Sequence, residues 1–136
     1  MPRMTPRTTL IAALGGGLLA LGAAQGFAMA SRPSRPIAEA RPTGPARSCV
    51  PLRAFSETRV RDDRTIDFLS SGKKGWRNVL PYGCPGLASA NAFTYKTSLS
   101  ELCSTDFINV LDTVGGGLQK GAACGLGQFQ PIELVK

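Results

Sequence analysis

The chain has 136 residues, of which 43% are hydrophobic and 18% are charged, and this composition predicts one folded domain rather than a disordered polymer. It contains no histidine, which excludes Ser-His and Cys-His nucleophiles and the commonest zinc ligand. The net charge of +7 is uneven, because ten of the 16 basic residues but eight of the nine acidic residues follow Arg47. This nearly balanced part of the chain does not predict a domain that binds nucleic acid.

Residues 1–30 have the pattern of a signal peptide. Two arginines precede an uncharged apolar run from Leu10 to Ala24, and Ala28 and Ala30 complete an A-x-A cleavage pattern. The run is shorter than the roughly 20 apolar residues that a spanning helix needs. We therefore predict cleavage before Ser31 and a soluble exported protein, either periplasmic or secreted. The alternative is an uncleaved leader that anchors the protein in a membrane.

Residues 31–47 are predicted to be a disordered linker rich in proline and arginine. Four prolines alternate with four arginines, and proline removes backbone donors while it favours extended conformations. The arginines could make weak contact with anionic lipid headgroups. A solvated spacer is the simpler interpretation of the same pattern.

Residues 48–136 are predicted to form a small β-rich module. The strand candidates alternate polar and apolar residues, or are short apolar runs bounded by turn residues. They are Arg64–Phe68, Trp76–Leu80, Ala92–Tyr95, Phe107–Leu111 and Gln128–Leu134. The competing helical signal is a capping box at Ser98 and Glu101, which allows one or two turns at most. We predict an all-β fold, a small disulfide-linked barrel or a strongly twisted sheet, with at most one short helix.

Four cysteines, at positions 49, 84, 103 and 124, lie in this module. No pair has the C-x₂-C spacing of a structural zinc site or of a thioredoxin-like redox motif. An even number of cysteines behind an export signal indicates two disulfides, and three connectivities are possible. We prefer Cys49–Cys124 with Cys84–Cys103, because this pairing joins the two ends of the module and closes a local loop.

Several short motifs surround the cysteines and the strand candidates. They are Arg47–Cys49, Asp63–Ile66, Trp76–Leu80, Cys84–Leu87, Leu102–Ile108 and Cys124–Phe129. As a set, they resemble a family of small exported bacterial proteins of unknown function, with four cysteines and a β-rich domain. The resemblance covers nearly all of the module and none of the leader or linker. It implies a compact exported module and brings no activity, substrate or catalytic residue.

Carboxylates are the remaining acid–base candidates in a chain without histidine. Asp62, Asp63 and Asp67 lie close in sequence, as a hydrolytic pair or a calcium site would require. Asp62 and Asp63 also suit the turn that opens a strand, and alternation turns Asp67 outward from its apolar neighbours. Asp106, three residues after Cys103, suits a turn cap that accepts backbone N–H groups. We predict structural roles for these aspartates and assign no catalytic residue, no metal ligand and no cofactor site.

A basic hairpin tip is the candidate ligand surface. Lys73, Lys74, Trp76 and Arg77 combine positive charge with the single tryptophan of the chain. On an exposed surface they could form a stacking platform for a sugar or for single-stranded nucleic acid. The interpretation we prefer turns Trp76 into the sparse apolar core and leaves the lysines at a solvated tip.

The sequence favours a non-catalytic exported module that binds a protein or an envelope component, with no cofactor and no nucleic acid. The absence of histidine, the paired cysteines and the scattered carboxylates support this hypothesis. Two alternatives stay open: a small carboxylate-dependent hydrolase or lyase, and a basic protein that acts at membrane surfaces through its linker. Carboxylates that converge in a pocket would favour the hydrolase or lyase.

Overall fold

The computed structural model describes residues 36–97, 99–113 and 115–135. The predicted signal peptide, residues 1–30, and the cleavage site at Ala28, Ala30 and Ser31 lie outside these ranges and stay predictions. Within the described ranges, no helix has the length and apolar character needed to cross a membrane.

The described chain is mainly β, as predicted, with one 3₁₀ turn over Leu52–Ala54 and the single-turn helix α1 over Leu87–Ala90. The ten strands in these ranges are β1 (Ala40–Pro42), β2 (Cys49–Pro51), β3 (Glu57–Val60), β4 (Thr65–Ser71), β5 (Lys74–Val79), β6 (Phe93–Tyr95), β7 (Glu101–Cys103), β8 (Phe107–Asp112), β9 (Gln119–Gly125) and β10 (Phe129–Leu134). All five predicted strands are present, because each combines a short β-period pattern with flanking turn residues.

The largest sheet is antiparallel and five-stranded, in the order β1-β10-β5-β4-β3. Its centre is the predicted hairpin of β4 and β5, in which Phe68 lies opposite Trp76. Gly72 begins the tight turn with a φ of 51°, a conformation that glycine adopts without a steric penalty. Alternate side chains point to opposite faces, so the phenylalanine and the tryptophan share the face that is directed to the core.

One apolar core connects this sheet with the two smaller sheets, β2-β7 and β6-β8-β9. The ring of Phe68 lies at its centre, with centroids 5.0 Å from Phe55, 6.2 Å from Phe93 and 5.5 Å from Phe129, all in edge-on geometry. Such edge-to-face pairs stabilise beyond the area they bury. The fully buried residues around the rings are Val50, Ile66, Leu80, Leu87, Leu102 and Ile108.

The described strands do not close into a barrel, so the barrel prediction is wrong. Closure would require a ladder between β1 and β3, but each of these strands pairs on one side only. On β3, Arg59 donates a hydrogen bond to Glu57. This hydrogen bond and the negative charge of the Glu57 carboxylate both raise the pKa of the Arg59 guanidinium. Charged side chains along an edge strand disfavour further pairing.

The prediction of a disordered linker over residues 31–47 does not hold for its C-terminal part. Ala40–Pro42 forms β1, antiparallel to β10. Farther along, the N–H groups of Thr43 and Arg47 donate to carbonyl oxygens of β10 at 3.0 and 2.9 Å. Pro42 fits in β1 because an edge strand tolerates a missing donor on its outer side.

The two disulfides predicted from the cysteine count are present, but the preferred connectivity is wrong. Cys49 is bonded to Cys103, and Cys84 to Cys124. The first bond follows from the antiparallel ladder of β2 and β7, which places Cys49 directly opposite Cys103. The same ladder explains why the capping box at Glu101 does not start a helix, because Leu102 is buried opposite Val50 on β2.

Gly127 allows a close approach of two backbones. A methyl group at this position would lie 2.2 Å from the carbonyl oxygen of Val79. The fully buried Asn78 side chain also binds Gly127 twice: it donates to the glycine carbonyl at 2.7 Å and accepts from its N–H at 2.8 Å.

We expect Gly127→Ala to lower the free energy of unfolding by about 1–3 kcal/mol, because an added methyl group forces a backbone shift in a packed region. Urea denaturation measures the effect. Gly117→Ala is the matched control, since no described residue beyond its chain neighbours has an atom within 4 Å of a methyl group there. Equal losses in the two variants would contradict the close approach at Gly127.

Candidate functional site

A cleft of about 440 Å³ lies between β5, β10 and the segment 43–47. Its volume falls in the range of about 300–1,000 Å³ that is usual for small-molecule sites. We call it the Trp76 cleft. The residues that line it are Thr43, Gly44, Pro45, Arg47, Ser70, Lys74, Gly75, Trp76, Pro131, Ile132 and Glu133.

Cross-strand pairing of β5 with β10 builds the floor of the Trp76 cleft. Trp76 lies opposite Pro131, and Lys74 lies opposite Glu133. Residues two positions apart on a strand point to the same face, so all four side chains lie on one face of the sheet. The floor therefore combines one aromatic ring and one proline with a cation and a carboxylate.

Trp76 has two roles in this arrangement. It is half-buried, packs against the apolar core and also borders the cleft. The sequence alternatives of a core residue and an exposed platform are therefore not exclusive. Because it is the single tryptophan of the chain, its fluorescence reports on this cleft.

The wall of the Trp76 cleft is the segment 43–47, which belongs to the predicted linker. Backbone hydrogen bonds fix both ends, from the Thr43 N–H to the Pro131 carbonyl and in both directions between Arg47 and Phe129. Between them, the side-chain amide of Gln130 donates to the Gly44 carbonyl at 2.7 Å. These contacts fix the backbone of the segment beside β10, and Arg47 is among the residues that line the cleft.

The charges of the cleft are unevenly compensated. The Glu133 carboxylate lies 3.4 Å from the Arg41 guanidinium. Arg47 and Lys74 are both exposed, and neither makes an ion pair within the described part of the chain. The cleft thus presents two uncommitted cations and a carboxylate that already has a partner.

The structure divides the predicted ligand surface. Lys74 and Trp76 line the cleft, whereas Lys73 lies in the turn before β5 and is not among the lining residues. Arg77 lies on the opposite face of the sheet, where it donates to the two carboxylate oxygens of Asp67 at 2.7 and 2.9 Å. Strand alternation explains the division, since positions 74 and 76 share a face that position 77 does not.

Asp67 is the centre of a buried charge cluster. Its carboxylate is fully buried and also accepts a hydrogen bond from the Arg61 Nε at 2.7 Å. Arg77 donates in addition to the carbonyl of Ala38 at 2.8 Å. The predicted alternation of Asp67 away from the core face is correct, but the side chain is buried between two guanidinium groups instead of solvated.

The other candidate aspartates bind backbone groups. Asp62 accepts from the N–H of Arg64, and Asp63 accepts from the N–H of Ala88 in the first turn of α1. Asp106 accepts from the N–H of Cys103 at 2.7 Å, which confirms the predicted turn cap. None of these carboxylates is among the described residues that line the Trp76 cleft, where Glu133 is the acidic group.

One group of metal-ligand side chains exists in the described ranges. Cys49, Glu101 and Cys103 place their ligand atoms within 4.8 Å of one another. The two sulfurs form a disulfide, and metal binding by cysteine requires the thiolate. This group is therefore a disulfide with a neighbouring carboxylate and not a metal centre.

No protein-family model matches the chain, and no curated protein or solved structure is significantly similar to it. Two disulfides in a chain of this size are typical of an oxidising compartment outside the cytoplasm.

Proposed function

We propose that the protein is an exported, non-catalytic binding module and that the Trp76 cleft is its ligand site. The observation that carries this proposal is the exposed pair Arg47 and Lys74 beside a half-buried tryptophan, with no ion-pair partner for either cation in the described chain. A concave site with an aromatic surface and a few convergent polar groups is the usual form of a small-molecule site.

Binding accounts for the site better than catalysis does. Acid–base hydrolysis by carboxylates uses two groups with separate roles at the scissile bond. Glu133 has Arg41 as a partner, and the aspartates that the sequence offered bind backbone groups or the arginines around Asp67. A hydrolase or lyase would need a second acid at the cleft from outside the described residues.

The two arginines of the predicted linker that the structure describes also favour a cleft function over a membrane-surface function. Arg41 contacts Glu133, and Arg47 borders the cleft, so each of them lies beside the folded module. Export is supported by the signal pattern of residues 1–30 and by the two disulfides. The ligand is then a component of the envelope or of the medium outside it.

We expect a soluble fragment of an envelope polymer to change the emission of Trp76 in a saturable way. A suitable panel contains neutral and acidic oligosaccharides, acidic tripeptides and sugar phosphates. Fluorescence titration of the purified mature protein gives the dissociation constant for each compound. Glu133→Gln and Lys74→Gln should each change the affinity of the compound that binds, because both side chains border the cleft.

The control is Lys120→Gln, which removes a charge on β9, outside the residues that line the cleft. This variant should leave the affinity unchanged. The proposal is rejected if no compound of the panel changes the emission, or if binding is insensitive to both cleft variants.

A further inference from the structure

We infer that the Trp76 cleft takes a saccharide that carries an anionic group. The sugar ring stacks on Trp76, and its carboxylate or phosphate binds between Arg47 and Lys74. This inference rests on the proposed function, which it deepens by naming the class of ligand.

The charge of the cleft selects an anion. Arg47 and Lys74 come from different elements, the wall segment and β5, and both border the same space. A guanidinium group presents a planar fork of donors that matches a carboxylate or a phosphate, and a lysine adds a compact point charge. Glu133 does not cancel this charge, because Arg41 already lies beside it.

The uncharged part of the lining suits a sugar ring. The Trp76 ring and the Pro131 ring opposite it offer flat apolar surface to the C–H face of a pyranose. Hydroxyl groups of the ligand can bond with the side chains of Thr43 and Ser70 and with the Glu133 carboxylate, which all border the same space. An apolar surface with a hydrogen-bonding rim is what an amphipathic ring requires.

An extended acidic peptide fits the cleft less well. Peptides that bind along a sheet add a strand to a free edge. Both strands of the cleft floor are already paired on two sides, β5 with β4 and β10, and β10 with β1 and β5. Backbone pairing of a peptide at this position would therefore displace a strand of the sheet.

Single-stranded nucleic acid also fits less well. Proteins that bind it stack successive bases on several aromatic side chains along a basic groove. Among the described residues, Trp76 is the aromatic side chain that lines the cleft. The single Trp76 ring and the two cations, Arg47 and Lys74, instead suit one sugar ring and its anionic group.

Fluorescence titration of Trp76 with matched pairs of sugars tests the inference. Digalacturonic acid is compared with neutral digalactose, and glucose 6-phosphate with glucose. We expect each anionic sugar to bind at least tenfold more tightly than its neutral partner, and the tighter of the two anions shows whether carboxylate or phosphate is the natural group. Arg47→Gln and Lys74→Gln should each weaken the anionic sugars about fivefold or more and leave the neutral sugars unchanged.

Lys73→Gln is the matched control, because it removes the same charge from the same hairpin but outside the cleft lining. It should retain the affinity of the unmodified protein. The inference is overturned if neutral sugars bind as tightly as the acids, if triglutamate binds more tightly than either anionic sugar, or if Lys73→Gln weakens binding as much as Lys74→Gln. Tight binding of a neutral sugar or of the peptide in the cleft would leave the proposed function standing, whereas no binding by any compound would reject both.

Discussion

Replacement of Asp67 with asparagine should lower the free energy of unfolding by about 3–5 kcal/mol, the usual cost of removing one partner from a buried ion pair. The carboxylate is fully buried, and Arg61 and Arg77, with side chains 16% and 17% exposed, both donate to it at 2.7 Å. Asparagine has nearly the same volume but no charge, so two guanidinium groups would be left buried without compensation. One donor, Nη2 of Arg61, already has no hydrogen-bond partner among the described residues.

Urea denaturation of the Asp67→Asn variant measures this loss. The matched control is Glu57→Gln, which removes the carboxylate of the exposed ion pair between Glu57 and Arg59 on the edge strand β3. Exposed ion pairs contribute little because water and salt screen them, so the control should unfold as the unmodified protein does. Similar midpoints for the two variants would contradict a buried charge cluster at Asp67.

Removal of the Cys84–Cys124 disulfide by a double substitution to alanine should cost about 4 kcal/mol, as the chain-entropy estimate gives for a loop of this length. The two cysteines are 40 positions apart in the sequence. Cys49–Cys103 spans 54 positions, and the logarithmic dependence on length predicts nearly the same entropic effect. Cys84 and Cys124 are buried, however, whereas Cys49 and Cys103 are half-buried. Loss of the buried sulfurs should therefore make the first double variant the less stable one.

Thermal denaturation of the two double variants shows which of them is less stable. Peptide mapping without reduction gives the disulfide connectivity directly. The expected map contains one cross-linked peptide pair with Cys49 and Cys103 and a second pair with Cys84 and Cys124. A pair that joins Cys49 to Cys124 would contradict the register of β2 against β7.

The parts of the fold that the sequence predicts are those with local determinants. The hairpin of β4 and β5 has alternating strands and a glycine turn, and both signals lie within a few residues. β7 lacks such signals because it is three residues long and overlaps a capping-box pattern. β9 is rich in small residues and reads as a loop, although it pairs along β8. These two strands form because they pair with other strands, β7 with β2 and β9 with β8, and a local sequence pattern carries no information about such partners.

The disulfide connectivity shows the same limit. Spacing along the chain allows three pairings, and loop entropy varies too slowly with length to choose among them. The β2–β7 ladder pairs Cys49 with Cys103. Cys84 pairs with Cys124 because both lie in the apolar core. Both depend on strand partners that are distant in sequence.

The sequence predicts the candidate site only in part. The sequence indicates Lys74 and Trp76 because a basic turn there adjoins the single tryptophan, and the structure places both at the cleft. The sequence places Arg47 in a linker, since proline-rich composition gives no indication that the backbone there pairs with Phe129. The sequence also predicts Arg77 on the ligand surface, although strand alternation alone places it on the face opposite Trp76.

The most direct test of the Trp76 cleft is a ¹H–¹⁵N correlation spectrum of the mature protein during titration with digalacturonic acid. The indole N–H gives one resonance, because the chain has one tryptophan. We expect this resonance and the backbone amides of Thr43, Gly44, Arg47 and Gly75 to shift together and to saturate at the same concentration. Saturable shifts confined to other strands, with the indole resonance unmoved, would contradict it.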